Sequence, residues 1–226
     1  MYVPVHFAVS DHEALYRLIR DNPLGMLVTS GQQGLDANHL PFELDRQADG
    51  LGVLLGHVAR ANPVWKDVRD GDEVLVIFRA EDAYVSPNWY LSTQETHKQV
   101  PTWNYRVAHA AGKVKFRDDE GFLRDVVGRL TETHEAAQSA PWRMSEAPAG
   151  YIESMLKAIV GVEIGITRLV GKFKLSQKRE MRDRLSLGEA LKAQGDTALA
   201  QATLEAATGA SAAAGDASGL GRKKRF

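Results

Sequence analysis

Apolar and polar positions alternate with a period of two over several short stretches, and this pattern predicts a β-rich chain. Residues 25–30 (GMLVTS) read as a short apolar strand, and 31–34 (GQQG) as a hairpin turn. Residues 35–44 (LDANHLPFEL) are the next expected strand. Pro41 inside it predicts a bulge or a sheet edge, because proline has no N–H for the ladder. Val53, Leu54, Leu55 and Val58 supply a third strand. Residues 73–78 (EVLVIF) read as a buried strand, 83–86 as a short one stopped by Pro87, and 103–116 as a long strand or hairpin arm. In 161–169, Val162, Ile164 and Ile166 alternate with Glu163, Gly165 and Thr167, the mark of a half-buried strand.

Helical periodicity is interleaved with these strands. Ser10-Asp11-His12-Glu13 has the spacing of a capping box for a helix reaching about Asp21, striped by Leu15, Leu18 and Ile19. Asp118 and Asp119 stand where they can cap a helix whose stripe is Phe122, Leu123, Val126, Val127 and Leu130, with His134 further along that face at the edge of the core. Further helices are expected from Ala147-Pro148 through Leu156 and from Leu187 onward. Residues 88–101 are irregular, aromatic and polar. Residues 209–221 are rich in Ala, Gly and Ser, end in Arg222-Lys223-Lys224-Arg225, and read as a flexible tail. The strands show no regular βαβ rhythm, and no GxGxxG follows the first of them. A doubly wound sheet is therefore disfavoured, and a mainly β fold with helices (α+β) or a small barrel is expected. The expected division is a folded domain over 1–190 and a helical, then flexible, segment over 191–226.

Composition narrows the function. The formal net charge of -1 gives no global field toward nucleic acid or membrane. The absence of cysteine removes disulfides, thiolate catalysis, Fe–S clusters and cysteine zinc sites. No apolar run is long enough for a membrane span and the first residues do not resemble a secretory signal, so a cytoplasmic location is expected. The 7 histidines form no HExxH pair, and neither a GxSxG elbow nor a phosphate-binding Walker loop is present. No metal site is expected.

Two places hold the candidate chemistry. In 56–63 (GHVARANP) a strand runs into a helix start, with Asn62 suited to the N-cap and Pro63 to the first helical position. Arg60 just upstream would place a guanidinium beside free backbone N–H groups, which suits a phosphate. An ordinary join with a surface salt bridge is the alternative. The second place is 85–90 (VSPNWY) with 96–105 (THKQVPTWNY). Its Trp89, Tyr90, Trp103 and Tyr105, interleaved with Ser86, Lys98, Thr102 and Asn104, fit either a core or a flat heteroaromatic ligand carrying a phosphate. A basic run follows, with Lys172, Lys174, Lys178, Arg179, Arg182 and Arg184 against Glu180 and Asp183. It is the segment most able to contact DNA, through phosphates and with little base reading, and otherwise is a solvated face.

The stretches MYVPVHF at the start, GHVARANP, YVSP, VPTWNY, MLKAIVG and GKFKLSQ occur in that order over about residues 1–195. In this the chain resembles the PaiB family of FMN-binding negative transcriptional regulators. The resemblance implies a split β-barrel of the flavin-reductase and pyridoxamine-phosphate-oxidase kind, a homodimer, and FMN at the subunit interface. It implies a flavin ring along His39, Leu40 and Pro41, and a ribityl phosphate near His57, Val58, Ala59, Arg60 and Asn62. Arg60 is the expected bidentate phosphate partner and Lys98 the second cation. Ser86, Thr102 and Asn104 are expected to hydrogen-bond the ligand, with Trp103 packed beside it. An FMN-dependent oxidoreductase of the same fold, acting on a small molecule, is the alternative reading. At 91–94 (LSTQ) and at Lys178 the chain departs from the common family pattern.

Overall fold

The computed structural model describes residues 1–32, 34–46 and 50–216. The strands are β1 (Ala8–Val9), β2 (Leu24–Gly31), β3 (Gly34–Pro41), β4 (Glu43–Asp45), β5 (Val53–Ala59), β6 (Glu73–Val85), β7 (Thr102–Arg117) and β8 (Ile159–Lys174). The helices are α1 (His12–Asp21), α2 (Val64–Asp67), α3 (Leu91–Thr96), α4 (Glu120–Glu135), α5 (Ala149–Lys157), α6 (Met181–Ala193) and α7 (Thr197–Asp216). The chain divides into two units. The first is Met1–Val9, Ala80–Arg106 and the chain from Lys172; the second is Ser10–Arg79 with Val107–Gly171. The long strands β6, β7 and β8 each contribute residues to both units.

The strands form one sheet in the order β3-β2-β6-β7-β8-β5-β4, with β1 paired to β8. β2 pairs antiparallel with β3 (Leu27↔Asn38) and with β6 (Leu27↔Val76), and β5 pairs antiparallel with β8 (His57↔Gly161) and β4 (Leu54↔Leu44). The expected strand 35–44 is broken at Phe42. Past Pro41 the chain changes neighbours, since β3 pairs with β2 whereas β4 pairs with β5. Phe42 N–H donates instead to the Pro23 carbonyl. Proline therefore closes the outermost strand at the point where the ladder ends. The core of the second unit is built from the inward set of each strand and the stripe of α1, with Leu15, Ile19, Leu27, Leu54, Val76 and Phe78 fully buried. Phe42 and Phe78 meet edge to face with centroids 6.1 Å apart. Against β5, α4 lays Val126 and Leu130 on Leu55, and against α5 it lays Leu123 on Ile152 and Leu156.

The first unit has a separate core of Ala83, Val85, Tyr90, Leu175, Leu187, Leu191 and Leu199. Three elements depart from the sequence pattern. The two strands read at 73–78 and 83–86 are one continuous β6. Helix α3 lies within the stretch taken as irregular, and ends on His97 with φ of 53°. Helix α6 starts at Met181 rather than near Leu187 because its first turns carry charges that are nonetheless buried, namely Asp183 and Arg184, at 2% and 4% exposure. That hides the apolar period. Helix α7 continues to Asp216, so 209–216, expected to be flexible, is helical. The basic Arg222-Lys223-Lys224-Arg225 end lies outside the described residues. No helix among the described residues is long and apolar enough to cross a membrane.

Candidate functional site

Arg60 leaves the end of β5 at the expected corner, but its surroundings differ from expectation. Helix α2 is four residues long, and Asn62 Oδ1 accepts from Val64 N–H at 3.0 Å as a local cap. The Asn62 amide nitrogen donates to Asn38 Oδ1 at 2.7 Å. The Arg60 guanidinium is already engaged: Nη1 and Nη2 donate to the two Asp118 oxygens at 2.9 and 2.5 Å. Nε donates to the Lys157 carbonyl at 2.6 Å, and Nη2 also to the Ile159 carbonyl at 3.0 Å. Asp118 raises the Arg60 pKa and Arg60 lowers that of Asp118, mainly through this paired hydrogen bond. Such fork-to-fork geometry is the strong form of the interaction. The guanidinium that the sequence suggested for a phosphate is held here by Asp118 and by two backbone carbonyls. Arg60 is a clamp that ties the end of β5 to the turn before α4 and to the α5–β8 junction. Asp118 gave a sequence signal only as a potential cap; Asp119 takes that role, accepting from Phe122 N–H at 2.8 Å.

The other expected contacts fall into two groups. In the second unit His39 is exposed on β3, Pro41 is half-buried, and Leu40 is buried at 8% exposure, so Leu40 presents only its backbone. Val58, 2% exposed, is a core residue and offers no side chain to a ligand, while Ala59 is exposed. In the first unit Ser86 caps a short 3-10 turn, accepting from Asn88 N–H at 3.3 Å. Trp103 is exposed and meets Tyr84 edge to face, and Lys98 is exposed.

Thr102 and Asn104 are the two expected residues that the first unit brings to a cavity, one of about 240 Å³. Its wall also holds Tyr90 and Ser176, and Lys174, Lys178 and Arg179, which the sequence suggested as a nucleic-acid contact. A fully buried hydrogen-bond network forms its floor. Asn104, 0% exposed, donates to Ser176 Oγ at 3.1 Å, and Ser176 Oγ lies 3.1 Å from the Tyr90 hydroxyl. Ser176 adopts φ of 61°, a left-handed conformation that few residues other than glycine take up, held by these bonds. Lys174 Nζ donates to Thr102 Oγ1 and to the Trp103 carbonyl. Its pKa is lowered, first by burial and then by the like charges of Lys172 and Arg179. Arg179 lies over the Tyr90 ring and Lys178 over Phe7, at 5.0 and 5.9 Å from the ring centroids. Among the described residues none of Lys174, Lys178 and Arg179 has a carboxylate within ion-pair distance. A lysine whose basicity is depressed, beside hydroxyls and without a carboxylate partner, suits an anion. The remaining members of the basic run behave differently. Arg182 is exposed but paired to Glu95 and Glu180, and Arg184 is buried.

A second set of cavities lies in the second unit around His57. One, of about 320 Å³, is bounded by His57, Val127, Trp142, Met144, Tyr151 and Met155 among others. His57 Nδ1 is buried there without a hydrogen-bond partner, and burial lowers the imidazole pKa. Among the described residues no group of three or more His, Asp or Glu side chains is placed to hold a metal ion.

Sheet order and flanking helices define a mixed α+β fold built on an antiparallel sheet. A flavocytochrome from Azotobacter vinelandii shares this fold, at 14% identity and a TM-score of 0.56 over 76% of this chain and 72% of that one. Residues 1–168 match the family described as "Putative FMN-binding domain", and the chain belongs to that family, whose cofactor is FMN. It is 38% identical over 219 residues to an uncharacterized protein of Emericella nidulans, covering 81% of this chain and 87% of that one. It is 31% identical over 191 residues to the protease synthase and sporulation protein PAI 2 of Bacillus subtilis, covering 84% of this chain and 89% of that one.

Proposed function

We propose that the chain binds FMN as a homodimer, with the flavin at the subunit junction, and acts as a negative regulator of transcription. The observation that supports the flavin reading is the pocket of the first unit, where Lys174, Lys178 and Arg179 stand without carboxylate partners beside the Thr102 and Ser176 hydroxyls. A phosphate monoester, close to dianionic at neutral pH, supplies the charge that this pocket lacks. It would also draw the Lys174 pKa back up. In this proposal the phosphate belongs to Lys174 and its neighbours rather than to Arg60. Trp103 is left as an aromatic flank. The regulatory part rests on the likeness to the Bacillus protein, whose name ties it to protease synthesis and sporulation.

Flavin titration tests the proposal. FMN and riboflavin differ by the phosphate alone, so the wild type should bind FMN more tightly by roughly ten- to a hundredfold, the worth of a charge-assisted hydrogen bond. Lys174→Met should bring FMN down to the riboflavin affinity, whereas Arg60→Ala should leave the ratio of the two unchanged. A ratio that collapses in Arg60→Ala and survives in Lys174→Met would return the phosphate to Arg60. Light scattering of the FMN-loaded protein reads the homodimer. A mobility-shift titration on DNA upstream of its own gene, repeated across salt concentrations, reads direct DNA contact, and the absence of any shift at low salt refutes that part.

A further inference from the structure

Lys174, at the end of β8, brings an amine as well as a charge to the pocket of the first unit. Its Nζ donates to Thr102 Oγ1 and to the Trp103 carbonyl, both on β7. A neutral amine has two N–H bonds and one lone pair. With both N–H bonds held by β7, the lone pair is the position left for a third partner. Thr102 lines the same cavity as Lys174, so the amine stands at the cavity wall. Burial, then the like charges of Lys172 and Arg179, lower its basicity and so enlarge the neutral, nucleophilic fraction. Two further cations border the cavity. Exposed Lys178 lies over the Phe7 ring and half-buried Arg179 over the Tyr90 ring. Neither has a carboxylate within ion-pair distance among the described residues, so both can hold an incoming dianion. The buried Tyr90–Ser176–Asn104 network fixes the chain between Lys174 and these two, and Arg179 N–H donates to the Ser176 carbonyl at 2.9 Å. A nucleophile and an anion clamp are thus held on one short stretch, 174–179. The cavity, about 240 Å³, lies below the ~300–1,000 Å³ of drug-sized ligand pockets, which suits a small anion or the end of a larger ligand.

We propose that Lys174 is an acylation site, modified by small acyl phosphates whose phosphate docks on Lys178 and Arg179 while the acyl carbon meets Lys174 Nζ. The lone pair of the neutral amine attacks the acyl carbon. The bond from that carbon to the phosphate oxygen breaks, its electron pair leaves with the phosphate, and one amine proton goes with it. The products are an Nε-acyl-lysine and inorganic phosphate, and no other reactant is consumed. Acylation removes the positive charge of Lys174. Resting on the flavin reading, this makes acylation a regulator of cofactor loading, since a modified chain holds the FMN phosphate less well.

The test treats the full chain, free of FMN, with acetyl phosphate and follows each lysine by peptide mass spectrometry. Lys113 and Lys157, both exposed in the second unit, are the internal references. Lys174 should be acetylated at least about tenfold faster than either, the worth of docking one anion on charged donors. Inorganic phosphate at about 20 mM should slow Lys174 at least about threefold and leave the references unchanged. Lys178→Gln combined with Arg179→Gln should remove most of the advantage toward acetyl phosphate, but not toward the N-hydroxysuccinimide ester of acetic acid, which carries no phosphate. A Lys174 rate no higher than the references overturns the proposal. So does a Lys174 rate that inorganic phosphate leaves unchanged, a readout that needs no variant to fold. A double variant as reactive as the wild type toward acetyl phosphate overturns it too. The acetylated protein is then titrated with FMN, and should bind it about tenfold more weakly. Selective acetylation with unchanged FMN affinity would overturn the effect on loading and the seat given to the flavin phosphate, and would leave the acylation site standing, so the two failures are distinct.

Discussion

Replacing Gly112 by alanine should destabilise the sheet through one main-chain collision. Gly112 lies on β7 beside β8, and a Cβ built there would lie 2.3 Å from the Gly165 carbonyl oxygen and 2.9 Å from its carbon. The Ile164 Cγ2 atom would be 3.0 Å away. Ordinary contact needs about a further ångström, and the obstacle is backbone in a ladder whose strands are about 4.8 Å apart, so no rotamer change relieves it. Overpacking of this kind costs about 1–3 kcal/mol, and a collision with main chain belongs at the upper end. Loss of glycine's freedom in the unfolded chain returns about 0.4–1 kcal/mol. The net loss is about 2 kcal/mol, or roughly 4–8 °C in Tm for a chain of this length. Gly165→Ala is the control, because a Cβ there meets nothing within 4 Å. It should be neutral or slightly stabilising. Urea unfolding followed by circular dichroism should show a lower midpoint at unchanged slope for Gly112→Ala alone. A wild-type midpoint for Gly112→Ala, or an equal fall for Gly165→Ala, would refute the reasoning.

Other outcomes follow from the same coordinates. Asp183, 2% exposed on α6, accepts from Ser92 N–H at 2.9 Å and from Ser92 Oγ at 2.6 Å. Asp183→Ala strands both buried donors and should cost about 3 kcal/mol in a urea melt, with Asp183→Asn milder because its amide oxygen still accepts. Burial holds the His57 imidazole below its ordinary value of 6.5, so the unfolded chain takes up a proton first. The stability that this provides is complete above about pH 6.5 and declines as pH falls from there toward the depressed folded value. His109, also lowered by burial, adds to that slope. Urea midpoints at pH 7.5 and 5.5 should therefore differ less in His57→Phe than in the wild type. Arg60→Ala should leave the preference for FMN over riboflavin intact while Lys174→Met removes it, as flavin titration would show.

The elements with a clean period were legible before any coordinates. Helix α1 with its stripe of Leu15, Leu18 and Ile19 spans the expected residues, although Asp11, not Ser10, accepts from Glu13 N–H at its start. Helix α4 begins at the expected aspartates, and Pro41 marks a strand end. What was not legible shares one feature, in that its meaning depends on a residue distant in sequence. Met181-Arg182-Asp183-Arg184 looks like a solvated charged turn until Ser92 is seen to receive Asp183. The motif around Arg60 has the composition of a phosphate site, and only the arrival of Asp118, 58 positions on, shows the guanidinium to be engaged. Thr102 and Asn104 were singled out for a ligand, and Lys174, Lys178 and Arg179 for DNA, yet the fold brings the two sets to one cavity.

Residue order alone determined the β-rich class, the main helices, the family resemblance and the residue types able to hold a flavin phosphate, because period, capping and motif are properties of near neighbours along the chain. Tertiary structure decided which of the cations remain unneutralised. A positive charge binds a ligand only where no carboxylate of its own chain has reached it first, and that is settled by which distant segments meet.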